Sequence, residues 1–597
     1  MKTLLAALTA LLLIQTGLTA RAVRGADPQR QLASELEQAI AAPGWDEDVW
    51  SVLVVSLDAG DTLFSHGSDR SLAPASNMKL FTTAAALQFL QPDFRYATFL
   101  TAVGPVEEGV LRGDLLVYGT GDPTLSDRFF DGKTAVWEAL ADSLVAAGIR
   151  RIEGDVVGDA SYFVGPAVGR GWELAYVTHT YAAPASGLAF NDNIVTLRVL
   201  PGPAVGAPAE IQLIPGGSVA LENQTETVAS GRSRIEVERT AYQAPVVVRG
   251  RVRTGSSALW RAVPVADPAR FAASVFEEVL RERGITVAGS VRSVTDAAAS
   301  PVTGRRTFAP ALLEGPPVSV LAVHRSPPLL EILKVINQRR HNLYAESVLR
   351  TVGRIATGEG SVRGGRAAVA AILEEAGPAG AAVRVEDGSG LSPEDRASAR
   401  SIVELLAFMA RSPYREEYLE TLPEAATSRG LRRMQDTEAA SNLRAKTGTI
   451  DRVSALSGYV TARNGERLAF AILSNDVPST WKAKRVEDRI GARIAAFDRP
   501  PPAGPSAVAA TGSDSTETLR LARADSALQA AGTASSAADT TAGDPTPRSE
   551  YHTIRRGDTL EGIARAYDVS VGALRAANPN VDARRLMPGE RLKLPRS

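Results

Sequence analysis

Residues 72–87 read Leu-Ala-Pro-Ala-Ser-Asn-Met-Lys-Leu-Phe-Thr-Thr-Ala-Ala-Ala-Leu, a Ser-x-x-Lys pattern at the start of an apolar, alanine-rich run. Pro74 restrains the entry to a predicted helix, and the spacing of three places Ser76 and Lys79 on one helix face. A partly buried lysine with a lowered pKa can take a hydroxyl proton, and a helix N-terminus stabilises developing negative charge. Taken alone, a helix-capping serine beside a solvated lysine is the simpler interpretation.

A second pattern lies far downstream, where residues 443–450 read Leu-Arg-Ala-Lys-Thr-Gly-Thr-Ile ahead of a strand-like run. Lys446 and Thr447 offer a charge and a hydroxyl to a peptide with a free carboxylate, and Gly448 lets the backbone approach closely. The backbone N–H of Thr449, with that of Ser76, would form an oxyanion hole. The two patterns together predict a serine nucleophile with Lys79 as its base.

Ser-x-x-Lys upstream of Lys-Thr-Gly is the signature pair of the penicillin-recognising serine enzymes. From about residue 31 to residue 497 the chain resembles peptidase family S13, the class C low-molecular-mass penicillin-binding proteins. Five further stretches carry the resemblance: residues 119–125, 154–163, 181–193, 342–346 and 387–392.

The resemblance implies an α/β (α+β), transpeptidase-like fold of the β-lactamase-like kind. It also implies D-Ala-D-Ala carboxypeptidase action on peptidoglycan stem peptides through an acyl-enzyme on Ser76, and endopeptidase action on cross-links. β-Lactams would act as trapped substrates, and no cofactor is required.

The interval between Lys79 and Asn342 is much longer than in related enzymes, and in this family such length forms inserted domains. We therefore expect an insertion over residues 95–320 and a catalytic domain made of residues 23–94 and 321–498. Gly-Asp pairs in the insertion are typical of turns. Asp159 and Tyr162 are the alternative, as contacts to the substrate stem.

The middle motif of the family, Ser-x-Asn, is altered here to Arg340-His341-Asn342. Asn342 would hold the substrate amide, but arginine has no acceptor and cannot relay protons. Arg340 would either lower the pKa of Lys79 by like-charge repulsion or block the cleft; it could also grip a substrate carboxylate.

Two other functions therefore stay open. The chain could be a catalytically impaired scaffold that binds peptidoglycan. A β-lactamase on the same fold is disfavoured, because nothing resembles the tyrosine motif or the acidic residue that activates deacylating water in those enzymes.

The N-terminus predicts a signal peptide over residues 1–22, with an apolar run from Leu4 to Ile14 and small residues at Ala20 and Ala22. A membrane anchor is the alternative, but the run is far shorter than the ~20 residues of a spanning helix. We expect export to the periplasm or cell wall and no stable membrane span after cleavage.

The C-terminal part changes composition. Residues 499–549 are dominated by Ala, Thr, Ser, Gly, Asp and Pro and predict a flexible linker. Residues 550–597 follow a strand-helix-helix-strand pattern and resemble a LysM module, which implies binding to the glycan strand of peptidoglycan. The predicted glycan-binding residues are Asp558, Thr559, Leu560, Asn578, Pro579 and Asn580, although residues 558–560 could equally cap the first helix.

Composition excludes other classes of function. A chain of 597 residues is longer than one hydrophobic core usually supports, so we expect several domains. The 66 basic and 67 acidic residues nearly balance, so the composition gives no sign of a basic surface for nucleic acid. Without cysteine there are no disulfides or thiolate ligands, and the five histidines follow no metal-binding spacing, so we predict no metal.

Overall fold

The computed structural model describes residues 27–302, 318–428, 430–500, 551–553, 574, 577–578 and 591–593. The predicted signal peptide, residues 501–549 of the predicted linker, and Asp558, Thr559, Leu560, Pro579 and Asn580 lie outside the described residues. Contacts divide the chain into two units, Met1–Ala534 and Ser535–Ser597. In the described parts, no helix combines the length and the apolar character needed to cross a membrane.

The α-helices whose bounds the structure gives lie in the first unit. In chain order they are α1 (Pro28–Ala41), α2 (Met78–Leu90), α3 (Ala135–Ala146), α4 (Pro268–Glu282), α5 (Leu329–Gln338), α6 (Asn342–Thr357), α7 (Val362–Ala376), α8 (Ala399–Arg411), α9 (Arg415–Thr421) and α10 (Thr480–Ala495).

The β-strands of the described residues alternate with these helices. In chain order they are β1 (Trp50–Ser56), β2 (Thr62–His66), β3 (Ala97–Val103), β4 (Val106–Glu107), β5 (Val110–Leu111), β6 (Asp114–Gly119), β7 (Arg151–Ile152), β8 (Val156–Asp159), β9 (Ile194–Leu200), β10 (Glu210–Ile214), β11 (Leu221–Val228), β12 (Arg234–Glu238), β13 (Val246–Arg253), β14 (Leu259–Pro264), β15 (Thr286–Val287), β16 (Val291–Val294), β17 (Val318–Arg325), β18 (Arg444–Ile450), β19 (Val453–Thr461), β20 (Arg467–Ser474), β21 (Tyr551–Thr553) and β22 (Arg591–Lys593).

A five-stranded antiparallel sheet in the order β18-β19-β20-β1-β2 forms the centre of the catalytic domain. Helices α1 and α10 pack on one face, where Leu36 and Ile490 are buried beside Trp50. Helices including α2, α6 and α8 cover the other face. Because both faces are buried, the strands are nearly continuous apolar runs rather than alternating ones; Leu468–Leu473 are all buried.

Helix α2 lies inside this helical layer and is buried on every side except at Gln88. A helix that is apolar all round is expected only in such a position. Its lysine, Lys79, is therefore fully buried.

The insertion begins and ends on neighbouring strands. β3 pairs antiparallel with β17, so that Ala97 lies opposite Arg325, in a sheet of order β16-β8-β6-β3-β17. This region has a separate hydrophobic core, which includes the contacting rings of Trp137, Phe190 and Phe276. The α/β fold with an insertion between the first two motifs is confirmed, although the last inserted strand runs past the predicted boundary at residue 320.

The stem contact considered for Asp159 is wrong. Its carboxylate is fully buried and accepts hydrogen bonds from the hydroxyls of Ser161 at 2.5 Å and Ser300 at 2.6 Å. The ring of Tyr162 lies under the guanidinium of Arg354 at 5.2 Å, and its predicted stem contact stays a prediction. Asp159 therefore holds segments of the insertion together, whereas Tyr162 packs against α6 of the catalytic domain.

The start of the predicted linker needs a correction by one residue. Arg499 is largely buried and pairs with Asp61 at 2.7 Å and with Glu466. These ion pairs tie residue 499 to the turn before β20 and to the turn before β2, so the folded part continues through Arg499.

In the second unit, β21 and β22 form an antiparallel pair, with Tyr551 opposite Lys593. The side-chain amide of Asn578 donates to the carbonyl oxygens of Leu574 and Lys593 and accepts from the backbone N–H of Lys593, each at 2.8 Å. Asn578 therefore has an internal bonding role, and its predicted glycan contact stays a prediction.

Candidate active site

Ser76 lies on a tight turn, Ala75–Asn77, that leads directly into α2. Ala75 has a positive φ of 46°, and two glycines from distant segments pack against this turn. A Cβ added to Gly448 would lie 3.0 Å from the Ser76 nitrogen, and one added to Gly390 would lie 1.8 Å from the Ala75 oxygen. The absence of side chains at these glycines lets β18 and the loop at residues 387–392 close on the serine.

Lys79 is fully buried, and its ammonium is surrounded by acceptors. Nζ donates to Ser76 Oγ at 3.1 Å, to Asn342 Oδ1 at 2.7 Å and to the Ser389 carbonyl at 2.5 Å. Burial lowers the pKa of Lys79 to about 8, although negative charges on Asp387, Glu346 and Asp395 act in the opposite direction. Lys79 can therefore lose its proton far more readily than an exposed lysine.

Asn342 begins α6 and connects the lysine to the insertion. Its Oδ1 accepts from Lys79, and its Nδ2 donates to the Tyr181 carbonyl at 2.9 Å. The structure thus brings together three of the predicted residues, Ser76, Lys79 and Asn342. In the sequence, Tyr181 is the first residue of the stretch 181–193, one of those that carry the family resemblance.

Asp387 organises the loop that supplies the third acceptor to Lys79. Its Oδ1 accepts from the backbone N–H groups of Ser389 at 2.9 Å and Gly390 at 2.5 Å. Its Oδ2 accepts from Ser392 N at 2.7 Å and from Trp172 Nε1 at 2.8 Å. The site prediction omitted Asp387, although an aspartate followed by Gly-Ser-Gly is a common turn signal.

Two more buried carboxyl groups lie beneath the lysine. Glu346 pairs with Arg350 at 2.7 Å and accepts from the Gly388 N–H at 2.8 Å. Burial raises the pKa of Asp395 well above its usual range, and the neighbouring charge of Asp387 adds to the effect. Negative charge on these groups would oppose the effect of burial on the pKa of Lys79, and the raised pKa of Asp395 limits its contribution.

The outer strand of the sheet, β18, carries the predicted carboxylate-binding residues. Lys446 is fully buried and donates to the Thr447 carbonyl at 2.7 Å, and Thr449 is exposed at the open edge. Burial, followed by the positive charges of Lys79 and Arg340, lowers the pKa of Lys446 well below its usual range. A sheet edge of this kind can bind an extended peptide by adding it as a further strand.

Arg340 lies between α5 and α6 with a positive φ of 61°, and its side chain is exposed. Burial is the main cause that lowers the pKa values of Lys446 and Lys484, and the charge of Arg340 adds a smaller effect; for Lys79, burial is the lowering cause. The predicted repulsion therefore acts on Lys446 and not on Lys79. The guanidinium also leaves the Ser76, Lys79 and Asn342 contacts in place.

The insertion holds the altered middle motif from outside. Asp192 pairs with His341 at 3.2 Å and with Arg128 at 2.9 Å. Burial raises the pKa of Asp192, but the hydrogen bonds and charges of His341 and Arg128 outweigh it and lower the value to about 2. Sequence reasoning gave no signal for this pairing, because the partners are distant in the chain.

The sheet, the helices that bury both of its faces and the inserted region define a penicillin-binding, transpeptidase-like fold. The crystal structure of penicillin binding protein 4 (dacB) from Haemophilus influenzae shares it, with a TM-score of 0.61 and 24% identity over 74% of this chain and 94% of that one. A second crystal structure of that protein, complexed with a novel β-lactam, matches with a TM-score of 0.58 and 21% identity over 78% of this chain and 99% of that one.

The chain belongs to the D-Ala-D-Ala carboxypeptidase 3 (S13) family, whose model matches residues 32–496. A LysM domain model matches residues 552–595. A D-alanyl-D-alanine carboxypeptidase of Actinomadura sp. (strain R39) is 31% identical over 487 residues, which cover 78% of this chain and 85% of that one. The D-alanyl-D-alanine carboxypeptidase DacB of Haemophilus influenzae is 26% identical over 70% of this chain and 84% of that one.

Proposed function

We propose that this protein is a serine-type D-Ala-D-Ala carboxypeptidase that acts on peptidoglycan stem peptides through an acyl-enzyme on Ser76. The main support is the contact between Ser76 Oγ and the buried Nζ of Lys79 at 3.1 Å. A lysine with a pKa of about 8 is a usable general base near neutral pH. Membership of the S13 family favours this substrate class.

In the proposed reaction the neutral amine of Lys79 accepts the Ser76 hydroxyl proton while Oγ attacks the carbonyl carbon between two D-alanines. The backbone N–H groups of Ser76 and Thr449 stabilise the oxyanion. The C–N bond then breaks, and the leaving amine takes the proton from Lys79. Water next attacks the ester, Lys79 transfers the water's proton to Oγ, and the shortened peptide leaves as a carboxylate.

The other predicted residues bind the substrate in this scheme. Asn342 would contact the substrate amide through the same side chain that holds Lys79, while Lys446 and Thr447 would bind the terminal carboxylate. Gly448 admits the peptide backbone to the edge of β18. β-Lactams would acylate Ser76 and stay bound.

We further propose that the chain works outside the cytoplasm, at the cell wall. The LysM match supports binding to peptidoglycan, and the S13 relatives support the same location. The predicted signal peptide would direct export, and the LysM module would keep the catalytic unit close to its substrate.

Labelling with a fluorescent penicillin, together with D-alanine release from a D-Ala-D-Ala peptide, tests the proposal. Wild type should be labelled and release D-alanine, and Ser76→Ala should do neither while remaining folded. Ser71→Ala is the matched control, because Ser71 is an exposed serine upstream of the turn. Labelling of the Ser76→Ala protein would show that Ser76 is not the nucleophile.

Arg340 keeps one second candidate open, a peptidoglycan-binding scaffold with impaired turnover. The same experiment separates the functions. No labelling, or labelling without D-alanine release, would favour the scaffold, and rapid loss of the label would indicate a β-lactamase.

A further inference from the structure

Two carboxyl groups, those of Asp387 and Asp395, lie in contact in the segment whose Ser389 carbonyl binds Lys79. Both side chains are fully buried. Asp395 Oδ1 accepts from the backbone N–H groups of Glu386 at 2.6 Å and Asp387 at 3.3 Å, and the two carboxyl groups hydrogen-bond to each other. Two carboxylates in contact cannot both stay ionised in a buried site, so the pair holds a proton.

The other hydrogen bonds show which of the two groups carries this proton. Asp387 accepts four N–H hydrogen bonds, two on each oxygen, and a proton on it would displace one of these donors. Asp395 Oδ2, in contrast, accepts from no N–H or hydroxyl group in the part of the chain that the structure describes. The proton therefore belongs on Asp395 Oδ2, which donates it to Asp387.

The surrounding cations do not neutralise Asp395. Within the described ranges neither Asp387 nor Asp395 forms an ion pair, because Arg384 pairs with Glu386 at 2.6 Å and Arg350 pairs with Glu346 at 2.7 Å. An ionised Asp395 would be a buried charge without a counter-ion, which is costly. Burial and the charge of Asp387 accordingly raise the pKa of Asp395 well above its usual range.

The loop connects Asp395 to Lys79. A hydrogen bond from Asp395 fixes the carboxylate of Asp387, which in turn holds the N–H of Ser389, and the Ser389 carbonyl accepts from Lys79 Nζ at 2.5 Å. The charge of Asp395 also matters, because Lys79 is influenced by Glu346 and Asp387 as well and acts on Lys446. A neutral Asp395 adds no further negative charge, so it does not hold the proton on Lys79.

We propose that Asp395 is a positioning residue that works as a neutral carboxylic acid: it donates a hydrogen bond to Asp387 and so holds the Ser389 carbonyl against Lys79. This inference rests on the proposed role of Lys79 as general base. A side chain at this position needs an acceptor for the two backbone N–H groups and a donor for Asp387. Asparagine meets both needs without a charge, whereas leucine has the same shape and meets neither.

The rate of acylation by penicillin across pH tests the role of Asp395. Asp395→Leu should slow acylation by about tenfold or more, because a hydrogen bond to a buried charge is lost. Asp395→Asn should restore the rate to within about threefold of wild type and keep the mid-point of the pH profile, because it is a neutral donor. Asp387→Asn removes a negative charge near Lys79 and should lower the mid-point. The exposed Asp131→Asn is the control and should match wild type.

Two results would overturn the inference. If the mid-point falls in Asp395→Asn as far as in Asp387→Asn, then Asp395 is ionised in wild type. If Asp395→Leu is acylated at the wild-type rate, then Asp395 does not position Lys79.

Denaturant unfolding gives a readout that does not depend on activity. A raised pKa in the folded chain means that stability is lost as pH rises, since unfolded Asp395 releases its proton above about pH 4. The unfolding equilibrium constant of wild type relative to Asp395→Asn should therefore rise about tenfold per pH unit toward neutral pH. A constant ratio refutes only the neutral Asp395. If the ratio rises but wild type is not acylated, the proposed function fails, and the positioning role fails with it.

Discussion

The indole Nε1–H of Trp172 donates to the carboxylate of Asp387 at 2.8 Å, which links the insertion to the loop that contacts Lys79. The link is one of two. Lys79 has two acceptors besides Ser76, and the insertion supports both: the Ser389 carbonyl through Trp172 and Asp387, and Asn342 through the Tyr181 carbonyl. The insertion therefore positions Lys79, the proposed general base.

Replacing the indole donor should slow acylation. Trp172→Phe keeps most of the ring volume but removes the hydrogen bond to a buried charge, a loss of about 1.5–3 kcal/mol. We expect acylation by penicillin to slow by about tenfold or more, with the mid-point of its pH profile shifted, because the loop carrying Ser389 relaxes. Stopped-flow acylation across pH measures this, with the exposed Trp260→Phe as control. Equal rates and equal mid-points in wild type and Trp172→Phe would contradict the positioning role.

The acylation rate should rise with pH through a mid-point near 8, since only neutral Lys79 can accept the serine proton. Asn342→Asp places a negative charge beside Nζ and should move this mid-point upward by about one unit or more. Asn223→Asp, in β11 of the insertion, should leave it in place. A mid-point that does not respond to Asn342→Asp would mean that another group titrates.

The lowered lysine pKa also affects stability. A lysine that binds its proton less tightly when folded makes the free energy of unfolding rise with pH between about 8 and the usual value of 10.5. In denaturant unfolding of Lys79→Met, the free energy of unfolding should rise less with pH than in wild type. The rise that remains is attributed to Lys446. An identical pH dependence in wild type and Lys79→Met would contradict the contribution of Lys79.

Adding one methyl group at Gly390 should disrupt the turn Ala75–Asn77 that carries Ser76. Gly390→Ala puts a Cβ 1.8 Å from the Ala75 oxygen at a positive φ of 76°, so either the turn or the loop must move. Acylation should be lost or slowed by more than a hundredfold, on the order of 3 kcal/mol. Gly465→Ala has a similar φ of 86° but nothing within 4 Å, and should cost only about 1 kcal/mol of stability. Normal acylation of Gly390→Ala would show that the turn tolerates displacement.

Removing the tail should separate binding from chemistry. Deletion of residues 501–597 should leave turnover of a small D-Ala-D-Ala peptide unchanged but weaken co-sedimentation with insoluble peptidoglycan. Deleting residues 499–597 should additionally lower the melting temperature, because Arg499 pairs with Asp61 and Glu466. Equal co-sedimentation of the full and truncated chains would contradict the tethering role.

Motifs predicted the residues that meet around Ser76, because a Ser-x-x-Lys spacing on one helix and a Lys-Thr-Gly strand are local features of the sequence. The supports of these residues could not be predicted. Trp172 and Asp192 find their partners only through tertiary packing, and no local spacing encodes either pairing.

Which lysine the charge of Arg340 acts on could not be predicted for the same reason. A charge acts through distance, and sequence separation from Lys79 and Lys446 does not give distance. The predicted end of the folded part was also one residue too early. The local composition around residue 499 does not reveal the carboxylates with which Arg499 pairs.

The pairing of β1 with β20 has a consequence for how the chain is made. Trp50 lies opposite Ser474, so β1, which is synthesised early, can pair with β20 only after residue 474 has been synthesised. Contacts of such long sequence separation slow folding, since loop closure precedes any gain from pairing. Ser76 therefore emerges from the ribosome hundreds of residues before Lys446 can reach it. In a nascent or partly translocated chain, Ser76 is present but the cleft beside β18 has not formed. The proposed activity can begin only when the last strand of the sheet, β20, is in place.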